Sequence, residues 1–292
     1  MLSVPRVLVI GVLAGLMVQA HASRIRRAGS APLIGEPAAT VRFDLYQSYC
    51  IVVHGSAGSL KNLNFVLDTG TIRSTFSSRI AGKLSLRDAV PTGEVIVAGR
   101  EQAEDAILPS FAFGPVERSN LEIVTADLSF FQKALPVRID AIVGLDVLGQ
   151  RPFVIDYSAR VIRFGPTPAL PVSVPLRLDG GLAVLDAEID HRPVHLLLDT
   201  GASALVLFNP GSGAENAAGS ESDKSSIGAF ESQPVRLRSL RVGLQEFRQK
   251  PALMAPNPKP SQIHFDGLMS PAALGISQVA VDIEGGVLAF SR

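Results

Sequence analysis

The chain has few of the features that would place it in several common protein classes. Cys50 is its single cysteine, so no disulfide can close within it. Neither charge is in surplus, with 27 Lys plus Arg against 27 Asp plus Glu, so no net basicity argues for a nucleic-acid partner. His54, His191, His195 and His264 lack a metal-ligand spacing such as His-Glu-x-x-His, and neither a metal nor another cofactor is expected. No Gly-x-Ser-x-Gly elbow occurs, which removes the signature of a serine nucleophile. Gly180-Gly181 and Gly285-Gly286 are followed by no helical pattern, so they read as hairpin turns and not as phosphate cradles. The apolar run Val7 to Val18 is shorter than the ~20 residues a spanning helix needs.

What is present is a chain of 292 residues, 47% hydrophobic and 18% charged, which is enough to bury a real core. Arg6, the apolar run after it and Ala20-His21-Ala22 have the order of a secretory signal, so residues 1–22 are expected to be removed. The alternative is an uncleaved N-terminal membrane anchor. Either way the globular part is expected outside the cytoplasm, and the lack of disulfides fits a periplasm. Residues 23–39 read as a loosely ordered leader. Cys50, within Tyr49-Cys50-Ile51-Val52-Val53, reads as a core residue.

Two copies of Asp-Thr-Gly stand out, Asp68-Thr69-Gly70 and Asp199-Thr200-Gly201, each directly after an apolar run. An unpaired buried carboxylate is costly, so its recurrence in the same setting suggests two carboxylates that meet. The surroundings recur as well. Each copy is preceded by a strand–turn–strand pattern, ending in Leu63 to Leu67 and in Val194 to Leu198. Phe111-Ala112-Phe113-Gly114 is matched by Leu240-Arg241-Val242-Gly243, and Asp140-Ala141-Ile142-Val143-Gly144 by Asp266-Gly267-Leu268-Met269-Ser270. Val154-Ile155-Asp156-Tyr157 is matched by Ala280-Val281-Asp282-Ile283. Landmarks in one order at nearly constant offsets mean an internal duplication.

Short strands with turn residues between them dominate both copies, which gives an all-β class of two similar barrels or sandwiches. Ser77 to Leu84 is the best helix candidate, capped by Ser77 or Ser78, and Leu145 to Gln150 could add a turn. The lobes are assigned to 40–165 and 176–292. A proline-rich linker spans 166–175, and Gly211 to Ser226 reads as a mobile loop. Asp140, Asp156, Asp266 and Asp282 read as structural, with Arg138 or Arg151 as candidate donors.

Apolar-apolar-Asp-Thr-Gly, followed about 70 residues later by Asp-x-apolar-apolar-Gly, resembles the aspartic protease superfamily of pepsins and retropepsins. Gly144-Leu145-Asp146-Val147-Leu148, leading to Val154-Ile155-Asp156-Tyr157, is most similar to bacterial retropepsin-like aspartyl proteases. The resemblance covers roughly residues 40–292. It implies a bilobal acid-protease fold in which Asp68 and Asp199 face each other across a cleft and bind one water. Thr69 and Thr200 would interlock beneath them, Gly70 and Gly201 would permit the tight turns, and Thr71 and Ala202 would complete the support. Flaps over an extended peptide or protein substrate would fall at Val97, Ala98 and Gly99 and at Ile227 and Gly228. The implied activity is that of an aspartic endopeptidase; the alternative is an inactive peptide-binding protein on the same fold. A monomer is expected, since both aspartates lie in one chain.

The copies are not identical. Thr71 is matched by Ala202, and a hydroxyl at Thr71 could bond Asp68 and lower its proton affinity. Ser270 stands where the family has glycine, which puts close packing behind the second lobe in question. No tyrosine occurs between 50 and 156, so the pepsin flap tyrosine is missing.

Overall fold

In the first repeat, residues on alternate sides of each strand are apolar on both faces near the Asp-Thr-Gly turn, so the strands there must be covered twice. A computed structural model of the chain describes residues 13–14, 39–86, 90–96, 100–208, 215–216, 225–227, 230–256 and 264–292. In it, Ile51, Val53, Phe65 and Leu67 face a barrel interior, while Cys50, Val52 and Val66 face a second apolar cluster outside it with Ile142 and Phe131. Cys50 is fully buried, as its apolar neighbours suggest, and burial pushes its thiol up to about 12.

Six strands close each barrel. In the first lobe the ring runs Cys50–Ala57, Leu60–Leu67, Ala141–Val143, Thr75–Ser77, Val116–Ala126 and Arg100–Phe113, and Ser56 opposite Ala112 returns it to the start. The second ring is its equivalent: Leu182–Ile189, Arg192–Leu198, Gly267–Met269, Leu205–Leu207, Gln245–Met254 and Phe230–Val242, closed by Glu188 opposite Arg241. The fold is all-β and bilobal, as the duplicated pattern implies. Closure removes the unpaired edges that an open sheet would present.

Phenylalanines fill the first barrel. Phe65, Phe76 and Phe111 form a triangle with centroids 5.2–5.9 Å apart, and Phe113 extends it at 5.8 Å from Phe111. Burial of each ring contributes roughly 1.5–3 kcal/mol. The expected helix is present at Ser78–Leu84; the Ser77 hydroxyl accepts the Ile80 N–H, which caps it. Leu145–Leu148 forms the second short helix.

A third sheet joins the lobes, a pairing that the strand patterns do not reveal. Its strands, in order, are Ala39–Arg42, Val161–Phe164, Phe153–Asp156, Gln278–Asp282, Val287–Ser291 and Val172–Asp179, all antiparallel. The next-to-last strand of each repeat, Phe153–Asp156 and Gln278–Asp282, therefore pairs with its counterpart in the other. Val154 lies opposite its own repeat equivalent, Ala280, so a local two-fold axis passes between them.

Three sequence boundaries change. The linker assigned to 166–175 ends earlier, because Val172 to Pro175 already pair with Val287 to Phe290. Proline is tolerated there because the strand changes partner: from Leu176 onward the other edge pairs with Leu182–Ile189. Ala39, assigned to the leader, belongs to the joining sheet. Within the stretch read as a mobile loop, Glu215–Asn216 pairs with Val235 and Arg236, and Ser225–Ile227 with Phe230 to Ser232. At the N-terminus, Leu13–Ala14 lies antiparallel to Val95 and Ile96. Among the described residues no helix is long and apolar enough to cross a membrane.

Candidate active site

The parallel pairing of Leu60–Leu67 with Ala141–Val143 carries the first carboxylate to its place. The Asp68 N–H donates to Val143 O at 3.0 Å, which ends the ladder at the aspartate itself. The chain then turns and returns as Thr75–Ser77 on the other side of the same central strand. Lobe two repeats this: Asp199 N–H donates to Met269 O at 3.0 Å, at the end of the parallel pair Arg192–Leu198 and Gly267–Met269.

The two turns are locked together by their threonines. Thr69 N–H donates to Thr200 Oγ1 and Thr200 N–H donates to Thr69 Oγ1, both at 3.1 Å. Each hydroxyl in turn donates to the other lobe's strand end, Thr69 to Leu198 O at 2.8 Å and Thr200 to Leu67 O at 3.2 Å. Four bonds in two-fold arrangement satisfy the N–H and the hydroxyl of both buried threonines.

Above this lock, Asp68 and Asp199 are fully buried. One oxygen of each is fixed from within its own turn: Gly70 N–H donates to Asp68 Oδ1 at 2.7 Å and Gly201 N–H to Asp199 Oδ1 at 2.8 Å. The other oxygens, Asp68 Oδ2 and Asp199 Oδ2, are buried and accept no N–H or alcohol hydroxyl. The turns approach so closely that a Cβ on Gly70 would lie 2.6 Å from Asp199 Cγ. Glycine is required there by contact across the lobes, a stronger constraint than turn geometry.

Burial, and then the facing Asp199 carboxylate, hold the Asp68 carboxyl well above the usual carboxylate range. Burial also pushes Asp199 up, to about 7, against the opposing effect of hydrogen bonds from its partner and its own turn. Both shifts have the same meaning: the pair retains a proton at a pH where separate aspartates would both be ionised.

Thr71 and Ala202 sit beside the turns, both buried. The expected Thr71–Asp68 bond is not formed. The Thr71 hydroxyl points instead toward Arg73 O, at 3.5 Å, so it does not lower the proton affinity of Asp68. The Thr/Ala difference has a steric partner one strand away. A Cβ on Gly144 would lie 2.8 Å from Thr71 Cγ2 and 2.9 Å from Thr71 O, so both the side chain and the backbone of Thr71 require glycine there. Ala202 leaves room for a side chain, and Ser270 occupies it: its hydroxyl donates to Ala202 O at 2.6 Å and accepts the Ala273 N–H at 3.2 Å, capping the helix Pro271–Leu274. Packing behind lobe two is therefore intact.

The aspartates read as structural are engaged structurally. Asp140 accepts Asn64 N–H at 3.0 Å and is paired with Arg79 and Arg138. Asp266 accepts His195 N–H at 2.8 Å, the same bond in the second repeat. Asp156 accepts Ala159 N–H and a Gln278 amide N–H, and Asp282 accepts Gly285 N–H. Among the described residues no group of three His, Cys, Asp or Glu side chains could hold a metal ion.

The flap positions Val97, Ala98, Gly99 and Gly228 lie outside the described residues. Val90–Ile96 and Arg100–Phe113 pair as antiparallel arms, Ile96 opposite Arg100. Ile227 lies opposite Phe230 in the corresponding arms of lobe two. One residue that the sequence reading left without a role adjoins the site: Asp146, whose carboxylate accepts both the backbone N–H and the hydroxyl of Ser74. The signal was an acidic residue inside the otherwise apolar run Gly144-Leu145-Asp146-Val147-Leu148.

Residues 53–147 match the family described as aspartyl protease. The matched segment is most of the first lobe and contains Asp68; it ends before the second Asp-Thr-Gly. No curated protein matches the chain significantly. Among solved structures, the basic 7S globulin from soybean is similar over 87% of this chain and 95% of its own, at 11% identity and a TM-score of 0.46.

Proposed function

We propose that the chain is an aspartic endopeptidase of the bilobal retropepsin-like and pepsin-like kind, hydrolysing peptide bonds with Asp68 and Asp199 as the catalytic pair. The observation that carries this reading is the arrangement of the carboxylates. Each has one oxygen fixed by a glycine N–H and one buried oxygen that accepts no N–H or alcohol hydroxyl, and the pair is held in register by the threonine lock. Such an arrangement suits a single water and a single shared proton.

The chemistry follows. The ionised member takes a proton from the water as its oxygen attacks the peptide carbonyl carbon. The protonated member gives its proton to the carbonyl oxygen, so that a tetrahedral gem-diol forms without a covalent enzyme intermediate. A proton then passes to the leaving nitrogen and the C–N bond breaks. The buried setting strengthens each electrostatic interaction relative to water. Antiparallel arms over the site would hold an extended peptide mainly through its backbone. With both aspartates in one chain, the monomer is the working unit. The N-terminal signal pattern supports an activity outside the cytoplasm.

Cleavage of a peptide library, inhibited by pepstatin and abolished by Asp68→Asn and by Asp199→Asn, is the expected result. Turnover that survives either substitution overturns the paired mechanism. Tight binding of peptides with no cleavage between pH 3 and 8 would instead identify an inactive peptide-binding protein.

A further inference from the structure

The two lobes secure their aspartate turns by different means. In lobe two the means is a neutral hydroxyl, Ser270, and the position corresponding to Asp146 is Ala272. In lobe one a carboxylate does the work. Asp146 lies in the first turn of the Leu145–Leu148 helix and accepts Ser74 N–H at 2.8 Å and the Ser74 hydroxyl at 2.7 Å. The same Ser74 oxygen accepts Gly144 N–H at 3.1 Å. Leu145 N–H and Asp146 N–H donate to Thr71 O and Ile72 O, each at 2.9 Å. Ser74 O accepts Val124 N–H at 3.0 Å on the far side. The segment that leaves the Asp68 turn is thus bonded along its whole length to the 144–146 backbone and to one side chain.

Desolvation of Asp146 disfavours its charge, and the hydrogen bonds from Ser74, with the charge of Arg73 nearby, offset this only in part. A charged group kept at such a cost, where the other lobe manages with alanine, calls for a role beyond filling space. We propose that Asp146 is a positioning residue for the reaction, holding the 71–74 segment, and through it the turn that carries Asp68, by its two bonds to Ser74. The proposal rests on the reading of Asp68 and Asp199 as the reacting pair.

The test compares Asp146→Asn, Ser74→Ala, their double variant and Ser74→Thr with the wild-type chain. Kinetics are measured on a cleaved peptide, and backbone hydrogen exchange is followed in the segments 68–74 and 199–204. Displacement of a reacting group by about 1 Å can cost about a hundredfold in rate. Each single variant should therefore lower kcat by about 10- to 100-fold with KM nearly unchanged, and the double should lose little more than the worse single. Ser74→Thr, which keeps the hydroxyl, should recover most of the rate. Exchange should quicken in 68–74 and stay as in the wild type in 199–204, a split that general loosening would not give. Wild-type kcat in Asp146→Asn and Ser74→Ala, or equal quickening of both turns, overturns the proposal. If the wild-type chain cleaves nothing, the catalytic reading is what fails. Exchange alone then decides on Asp146: quickening confined to 68–74 supports its hold on the turn, and no change refutes it.

Discussion

Replacing Thr69 with valine keeps the shape of the side chain and removes only its hydroxyl, so it isolates the lock between the lobes. The hydroxyl donates to Leu198 O at 2.8 Å and accepts Thr200 N–H at 3.1 Å. Both partners are backbone groups buried at the lobe junction, and Thr69→Val leaves both without a substitute. An unsatisfied buried group costs about 1–3 kcal/mol, so the expected loss for the two is about 2–6 kcal/mol. Against a typical net stability of about 5–15 kcal/mol this is large, and it should appear as a clear fall in the denaturant midpoint at constant m-value. Thr200→Val breaks the two other bonds of the set, one of them longer at 3.2 Å, and should cost a similar or slightly smaller amount. An internal control lies close by. Thr75 is equally buried, but its hydroxyl has no partner, so Thr75→Val should be neutral or stabilising. A loss below about 0.5 kcal/mol for Thr69→Val, or equal losses at Thr69 and Thr75, would refute the claim that the lock binds the lobes.

Other consequences can be checked together. The raised carboxyls of the dyad favour the folded state fully below the unfolded value of 3.8, and that contribution fades as pH climbs through about 7. Stability measured across this window should therefore fall with rising pH, and the fall should flatten in Asp199→Asn; a flat wild-type profile would contradict a retained proton. Gly144→Ala should cost about 1–3 kcal/mol because its Cβ meets Thr71 Cγ2 and Thr71 O, and adding Thr71→Ala should return only the part due to the side chain in a double-mutant unfolding series. Gly70→Ala should abolish peptide cleavage while secondary structure by circular dichroism is kept, since the new methyl would press on the Asp199 carboxylate. Preserved turnover would show that the two turns are less closely apposed.

Much of the site was legible in sequence because its parts repeat. Asp68, Thr69 and Gly70 have counterparts at the same offset, and a two-fold lock needs matching residues in both halves. The roles of Thr71 and Ser270 were harder to read, because each depends on a residue distant in sequence: Thr71 is matched to Gly144, and Ser270 to Ala202. A hydroxyl next to an aspartate suggests a local bond, yet the local backbone carbonyl of Arg73 takes it. The joining sheet was illegible for another reason. Val154 to Asp156 and Gln278 to Asp282 carry the same pattern as strands that pair within a lobe, and nothing in that alternation tells which partner a strand will choose.

The pairing of Val154 with Ala280 has a consequence for any attempt to divide the molecule. A strand that lies antiparallel to its own repeat equivalent is self-complementary. Either half expressed alone would carry a bare, apolar edge whose natural match is a second copy of itself. Such a fragment would be expected to associate as a symmetric pair across the edge that the cut between the lobes exposes.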